Sequence, residues 1–228
     1  MTRKTARAER ADATRERILS AAERLFAEHG LFAVSNRQVS EAAGQGNNAA
    51  VGYHFGTKTD LVRAIVRRHN DDIEQRRLGL VESVGESTEV RDWVACMVRP
   101  TTEHLADLDV PAWYSRFCAQ VMTDPGFRSI MVEESLGAPS LHRALAGLNR
   151  CLPDMPADVR AERFDMVRQL MVHIPAERER ALDEGTTTPR ATWYEAATGL
   201  IDAITGLWLA PVSAPRSATS RAGDGEHA

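Results

Sequence analysis

"SNRQVSEAAGQGNNAAVGYHFGTK", residues 35–58, decides how this 228-residue chain is read. Ser35 and Gln38 stand three apart, the spacing at which two side chains cap a helix start reciprocally. Val39, Ala42 and Ala43 give the segment an apolar side and Gly44 ends it, which predicts a helix of about eight residues. So short a helix is unstable alone and has to lean on neighbours. A second short helix is expected from about Asn47 or Asn48 to Tyr53. Gly56 breaks it, and Thr57 is placed to cap the next one.

Longer helical patterns flank this pair. Upstream, Ile18, Ala21, Ala22, Leu25 and Phe26 form one apolar stripe that stops at Gly30. Downstream, Leu61, Val62, Ile65 and Val66 begin another, expected to run to about Val81. Two short helices meeting at a glycine, braced by longer ones, make the layout of a helix-turn-helix, whose second helix enters the DNA major groove. The residue types suit that task. Ala49, Ala50 and Gly52 are small enough for close approach, and alanine can touch thymine methyls. Asn47 and Asn48 either pair with adenine edges or serve as turn residues. Tyr53, His54 and Lys58 offer polar and cationic groups to phosphates. Arg37 is either a phosphate or groove contact or a solvated arginine. Val51 and Phe55 are expected to point inward.

Charge divides the chain. The net charge is −4, but residues 1–69 carry 12 Lys/Arg against 7 Asp/Glu and residues 70–228 carry 16 against 25. A basic segment on an acidic body fits a polyanion bound at one end. No apolar run approaches the ~18 residues a membrane span needs, and the N-terminus lacks a secretory pattern, so a cytoplasmic location is expected. Cys96, Cys118 and Cys151 have no disulfide or zinc spacing. The seven histidines are scattered, and no aligned nucleophile and base emerge, so neither a metal, a cofactor nor enzyme activity is expected.

The expected fold class is all-α. Residues 1–12 are taken as a flexible basic arm in which Arg3, Lys4 and Arg7 add general attraction to DNA. Residues 13–56 are the helix-turn-helix domain, 57–211 a larger helical domain, and 212–228 a disordered tail by composition. Pro100 is expected to kink its helix.

The segments "TRERILSAAERLFAEHG", "VSEAAG" and "YHFGTKTDL", in that order, resemble the tetracycline-repressor (TetR) family of bacterial transcription regulators. The interval between Gly44 and Tyr53 is one residue longer than the usual family spacing, which bears on the turn at 45–48 and on which of Gln45, Asn47 and Asn48 meets a base. The resemblance implies a three-helix DNA-binding domain, a helical ligand-binding and dimerisation domain, a homodimer on a palindromic operator, and release by a small-molecule effector.

Two late stripes fit a four-helix dimer interface or, alternatively, a core within a single chain. One is Phe164, Val167, Leu170, Met171 and Ile174; the other is Tyr194, Ala197, Ile201, Ile204 and Trp208. Between the domains' elements, Trp93, Met97, His104, Trp113, Tyr114, Phe117 and Met131 are candidates to line a ligand cavity, with Arg116 and Gln120 as further polar candidates. The alternative from another class is a helical ligand carrier or protein-interaction module whose basic end is incidental.

Overall fold

The computed structural model describes residues 3–47 and 49–213, with side chains from residue 8 onward. Among these residues the chain forms ten helices and no strand. They are α1 (Arg3–His29), α2 (Asn36–Ala42), α3 (Ala50–Phe55), α4 (Lys58–Val84), α5 (Val90–Ala106), α6 (Tyr114–Thr123), α7 (Arg128–Leu136), α8 (Pro139–Cys151), α9 (Ala157–Asp183) and α10 (Trp193–Leu209).

The short helices owe their limits to local chemistry. Ser35 and Gln38 form the expected capping box at the start of α2. Thr57 and Asp60 form another at the start of α4, and Thr192 and Glu195 a third at α10. Gly44 and Gly56 adopt φ of 66° and 82°, a region costly for residues with a Cβ, so both turns of the motif depend on glycine.

The structure bears on two expectations. The arm is helical from Arg3, as part of α1; its Ala, Arg and Glu residues are good helix formers and need no apolar face to continue the helix. Pro100 and Pro175 both lie buried inside helices that run on through them. The expected boundary at residue 56 does not separate two cores. One core joins α1–α4 to Tyr114, Phe117 and Val121 of α6 and Ile130 of α7. Phe26 and Phe117, both fully buried, stack at 6.3 Å across it. Burying one such side chain is worth about 1.5–3 kcal/mol, so the motif is anchored to the rest of the chain by packing. A second core joins α5, α8, α9 and α10 around Trp93, Ile201, Ile204 and Trp208. There Gly147 is required by close approach: a Cβ would lie 2.3 Å from the Trp93 ring.

Candidate nucleic-acid interface and the cavity behind it

α3 is held by its inner face. Val51 is fully buried and Ala50 is 8% exposed, so Ala50 belongs to the core and not, as expected, to the surface that approaches a groove. Ala49, Gly52 and Tyr53 form the outer face, with Tyr53 81% exposed. Arg15 of α1 closes the end of the helix by donating from Nη1 to the His54 carbonyl at 2.6 Å, while its guanidinium lies 4.3 Å from the Phe55 ring centre. The His54 ring sits half-buried beside Tyr53.

The turn before α3 is built from side chains as well as backbone. Asn47 Oδ1 accepts from the Ala49 amide at 2.9 Å, and Gln45 Nε2 donates to the Ala43 carbonyl at 3.0 Å. The local-turn alternative thus describes Asn47 in the free protein. Asn48 lies outside the described residues, as do the side chains of Arg3, Lys4 and Arg7. Arg37 is exposed and pairs with Glu41 at 2.8 Å, a surface contact of little energy that leaves it free to change partner.

Lys58 departs most from expectation. Its Nζ donates to the carbonyls of Leu31 at 2.7 Å and Val34 at 2.6 Å, tying the α1–α2 loop to the first turn of α4. Burial pushes its pKa down. Two of its three N–H groups are committed within the protein, so it acts first as a tether.

Behind the motif, a chain of polar groups, buried except at its Asp72 end, crosses three helices. Glu23 Oε2 of α1 meets His69 Nε2 of α4 at 2.8 Å; His69 Nδ1 meets His104 Nε2 of α5 at 2.7 Å; His104 Nδ1 meets Asp72 Oδ2 at 2.7 Å. The outer carboxylates also bind Arg68 and Arg76, and the His69 ring stacks on Tyr114 at 3.7 Å. Burial pushes the His104 pKa down, the neighbouring His69 adds to this, and Asp72 partly offsets it. Sequence reasoning noted both histidines but had no means of pairing residues 35 apart, and it passed over Glu23, Asp72 and Arg77.

Of the expected ligand residues, Met97, Tyr114 and Met131 border one cavity of about 180 Å³, together with Ile73 and Arg77 of α4 and Met171 and Pro175 of α9. The others do not line it. Trp93 fills the second core and donates from Nε1 to the Ser87 carbonyl at 2.9 Å. Phe117 is core packing against Phe26. His104 and Trp113 border an open cleft of about 840 Å³ beside α1. Arg116 is spent on Glu179, Asp183 and the Ala112 carbonyl, and Gln120 sits against Gly30. Among the described residues, no three His, Cys, Asp or Glu side chains group as a metal site.

The expected dimer residues divide by burial. Val167, Ala197, Ile201, Ile204 and Trp208 are packed inside a single copy, so they cannot be the contacting surface; a periodic stripe says that a face is covered, not by which chain. Phe164 is half-buried, edge-on to Trp208. Leu170 and Met171 are half-buried, while Ile174 and Tyr194 are exposed by 48% and 64%.

A six-residue helix held by its buried face, closed at its C-terminal end by Arg15 and followed by a long helix that borders a cavity, defines a helix-turn-helix DNA-binding regulator. Comparison with known proteins gives the family. Residues 18–65 match the family described as bacterial regulatory proteins, tetR family, and residues 95–206 match the tetracyclin repressor-like C-terminal domain. The chain belongs to the tetR family of transcription regulators. It is 29% identical over 154 residues to the HTH-type transcriptional repressor AcnR of Corynebacterium diphtheriae, covering 64% of this chain and 72% of that one. It is 30% identical over 123 residues to AcnR of Corynebacterium efficiens, covering 51% and 55%. Among solved structures, the TetR-family regulator PfmR of Thermus thermophilus matches with a TM-score of 0.53 at 16% identity, covering 88% of this chain and 98% of that one. A Mesorhizobium loti protein assigned to the same family matches with a TM-score of 0.50 at 19% identity, covering 92% and 98%. At these identities the structural likeness concerns the fold.

Proposed function

We propose that this regulator is a cytoplasmic repressor that binds a palindromic operator as a homodimer and is released by a small-molecule effector held in the cavity beside Met97, Tyr114 and Met131. The observation that carries the DNA-binding half is the outer face of α3, where Ala49, Gly52 and Tyr53 stand exposed on a helix fixed by buried Ala50 and Val51. In this reading Ala49 meets the base edges, Asn47 and Asn48 flank them, and Tyr53, His54 and Arg37 meet phosphates. Lys58 contributes by holding the loop that positions α2, with one N–H left for a phosphate. The name of the Corynebacterium relatives supports repression over activation.

Dimerisation is attributed to the outer sides of α9 and α10, where Ile174 and Tyr194 are joined by exposed Met166. Two reading heads would then engage half-sites about 34–36 Å apart or a multiple of it. Coupling is attributed to α4. The helix carries the Lys58 tether at one end, and Ile73 borders the cavity 15 residues further on, roughly 22 Å at 1.5 Å per residue. An effector that favours one placement of α4 shifts the spacing of the two heads.

A gel shift with DNA from upstream of the chain's own gene tests the reading. Specific binding that survives excess competitor, together with a dimer in sedimentation, is expected. A monomer that binds all DNA alike, with binding abolished by moderate salt, would contradict it.

A further inference from the structure

Arg77 borders the 180 Å³ cavity and is only 8% exposed, yet its charge is poorly answered. Its Nη1 reaches Glu74 at 3.2 Å and Ser140 Oγ at 3.4 Å, both long for a buried guanidinium. Its Nε–H is buried with no acceptor. Glu74 is already engaged elsewhere, accepting from the Ser140 amide at 2.9 Å and from the Ser140 hydroxyl at the start of α8. Burial pulls the Arg77 pKa down, with Glu74 only partly opposing. Arg178 also has an unpaired Nε–H, but its other nitrogens donate to three oxygens at 2.8–3.1 Å. A buried cation left with weak partners is costly, and an anion beside it removes that cost.

The rest of the cavity limits what the anion can be. Its volume is below the ~300–1,000 Å³ typical of drug-sized ligands and close to the ~150 Å³ of an apolar void that accepts one benzene ring. Ile73, Met97, Met131 and Met171 make much of its wall apolar, and methionine adapts to irregular apolar shapes. We propose that the cavity binds a small monocarboxylate with a compact apolar body, about the size of benzoate, with its carboxylate on Arg77 and its ring among the methionines. This assignment rests on the reading of the cavity as the effector site.

The test is calorimetric titration of the full chain at neutral pH with benzoate, with its neutral counterpart benzamide, and with toluene. Benzoate binding once per chain at least tenfold tighter than benzamide, with the preference lost in Arg77→Met, is expected. Equal binding of benzoate and benzamide would overturn the carboxylate assignment and leave the cavity as a ligand site. So would benzoate binding unchanged in Arg77→Met. Binding of toluene alone would do the same. If none of the three binds, the assignment falls and the cavity loses its place as the effector site with it. The wild-type comparison decides the matter even if the variant fails to fold.

Discussion

α4 buries polar groups at two places, and they are built in opposite ways. Around His69, every ring nitrogen of the His69–His104 pair has a partner at 2.7–2.8 Å, and each outer carboxylate has an arginine as well. Two turns further on, Arg77 has two long contacts, both from Nη1, and a buried Nε with none. A satisfied buried network costs little to keep and much to break. An unsatisfied one is the reverse. The first region reads as fixed wiring from α1 of the DNA-binding motif to α5, and the second as the under-partnered cation on which the proposed carboxylate would sit.

Removing one member of each region should therefore have unequal effects. Glu23→Ala leaves His69 and Arg68 facing an empty buried site, and a loss of about 3–5 kcal/mol is expected in urea unfolding, with operator affinity reduced in step. A loss below 1 kcal/mol would show that the chain is not the wiring described.

The histidine pair also gives the first region a pH signature. The His104 pKa is lowered in the folded protein, so the unfolded state takes up more protons near the ordinary histidine value of ~6.5. The associated stability is fully present above that value and is lost as pH falls through it towards the folded pKa. Unfolding midpoints measured from about pH 7.5 to 5.5 should fall with a slope of up to ~1.4 kcal/mol per pH unit, and His104→Asn should flatten it. A profile identical in the variant would contradict the assignment.

Lys58→Met should cost about 1–3 kcal/mol, since the Leu31 and Val34 carbonyls lose a charged donor. Its DNA affinity should fall through a loosened α1–α2 loop, seen as faster hydrogen exchange there. Exchange unchanged while affinity falls would instead make Lys58 chiefly a phosphate contact. The smallest effect is expected at the second region. Arg77→Met removes an under-partnered cation while Glu74 keeps the Ser140 donors, so thermal melting should shift by the equivalent of less than ~1 kcal/mol, in either direction. A loss as large as that of Glu23→Ala would erase the contrast.

How much of this was legible in the sequence follows from how local each feature is. The capping box at Ser35 and Gln38, the glycines at 44 and 56 and the stripe from Leu61 are interactions within a few residues, and a linear pattern records them. The outer and inner faces of α3 were only half legible: six residues are too few for a period to tell Ala49 from Ala50. The cavity is assembled from α4, α5, α6, α7, α8 and α9, so no single stripe marks it. Trp93 and Phe117 have the same apolar signature as Met97 and Met131, yet the first two fill cores and the latter two border a void. Arg77, inside an otherwise polar stretch of "IEQRRLG", gave no sign that it would be buried.

The exposed face of α3 is the centre of the account, and footprinting on DNA upstream of the chain's own gene tests it most directly, with the wild type and Ala49→Glu side by side. Ala49 is exposed, so a glutamate there leaves the fold intact while setting a negative charge against the groove. The account predicts two protected half-sites related by a dyad for the wild type, and no protection for the variant at equal thermal stability. Protection by the variant over the same two half-sites at the same concentration would contradict it.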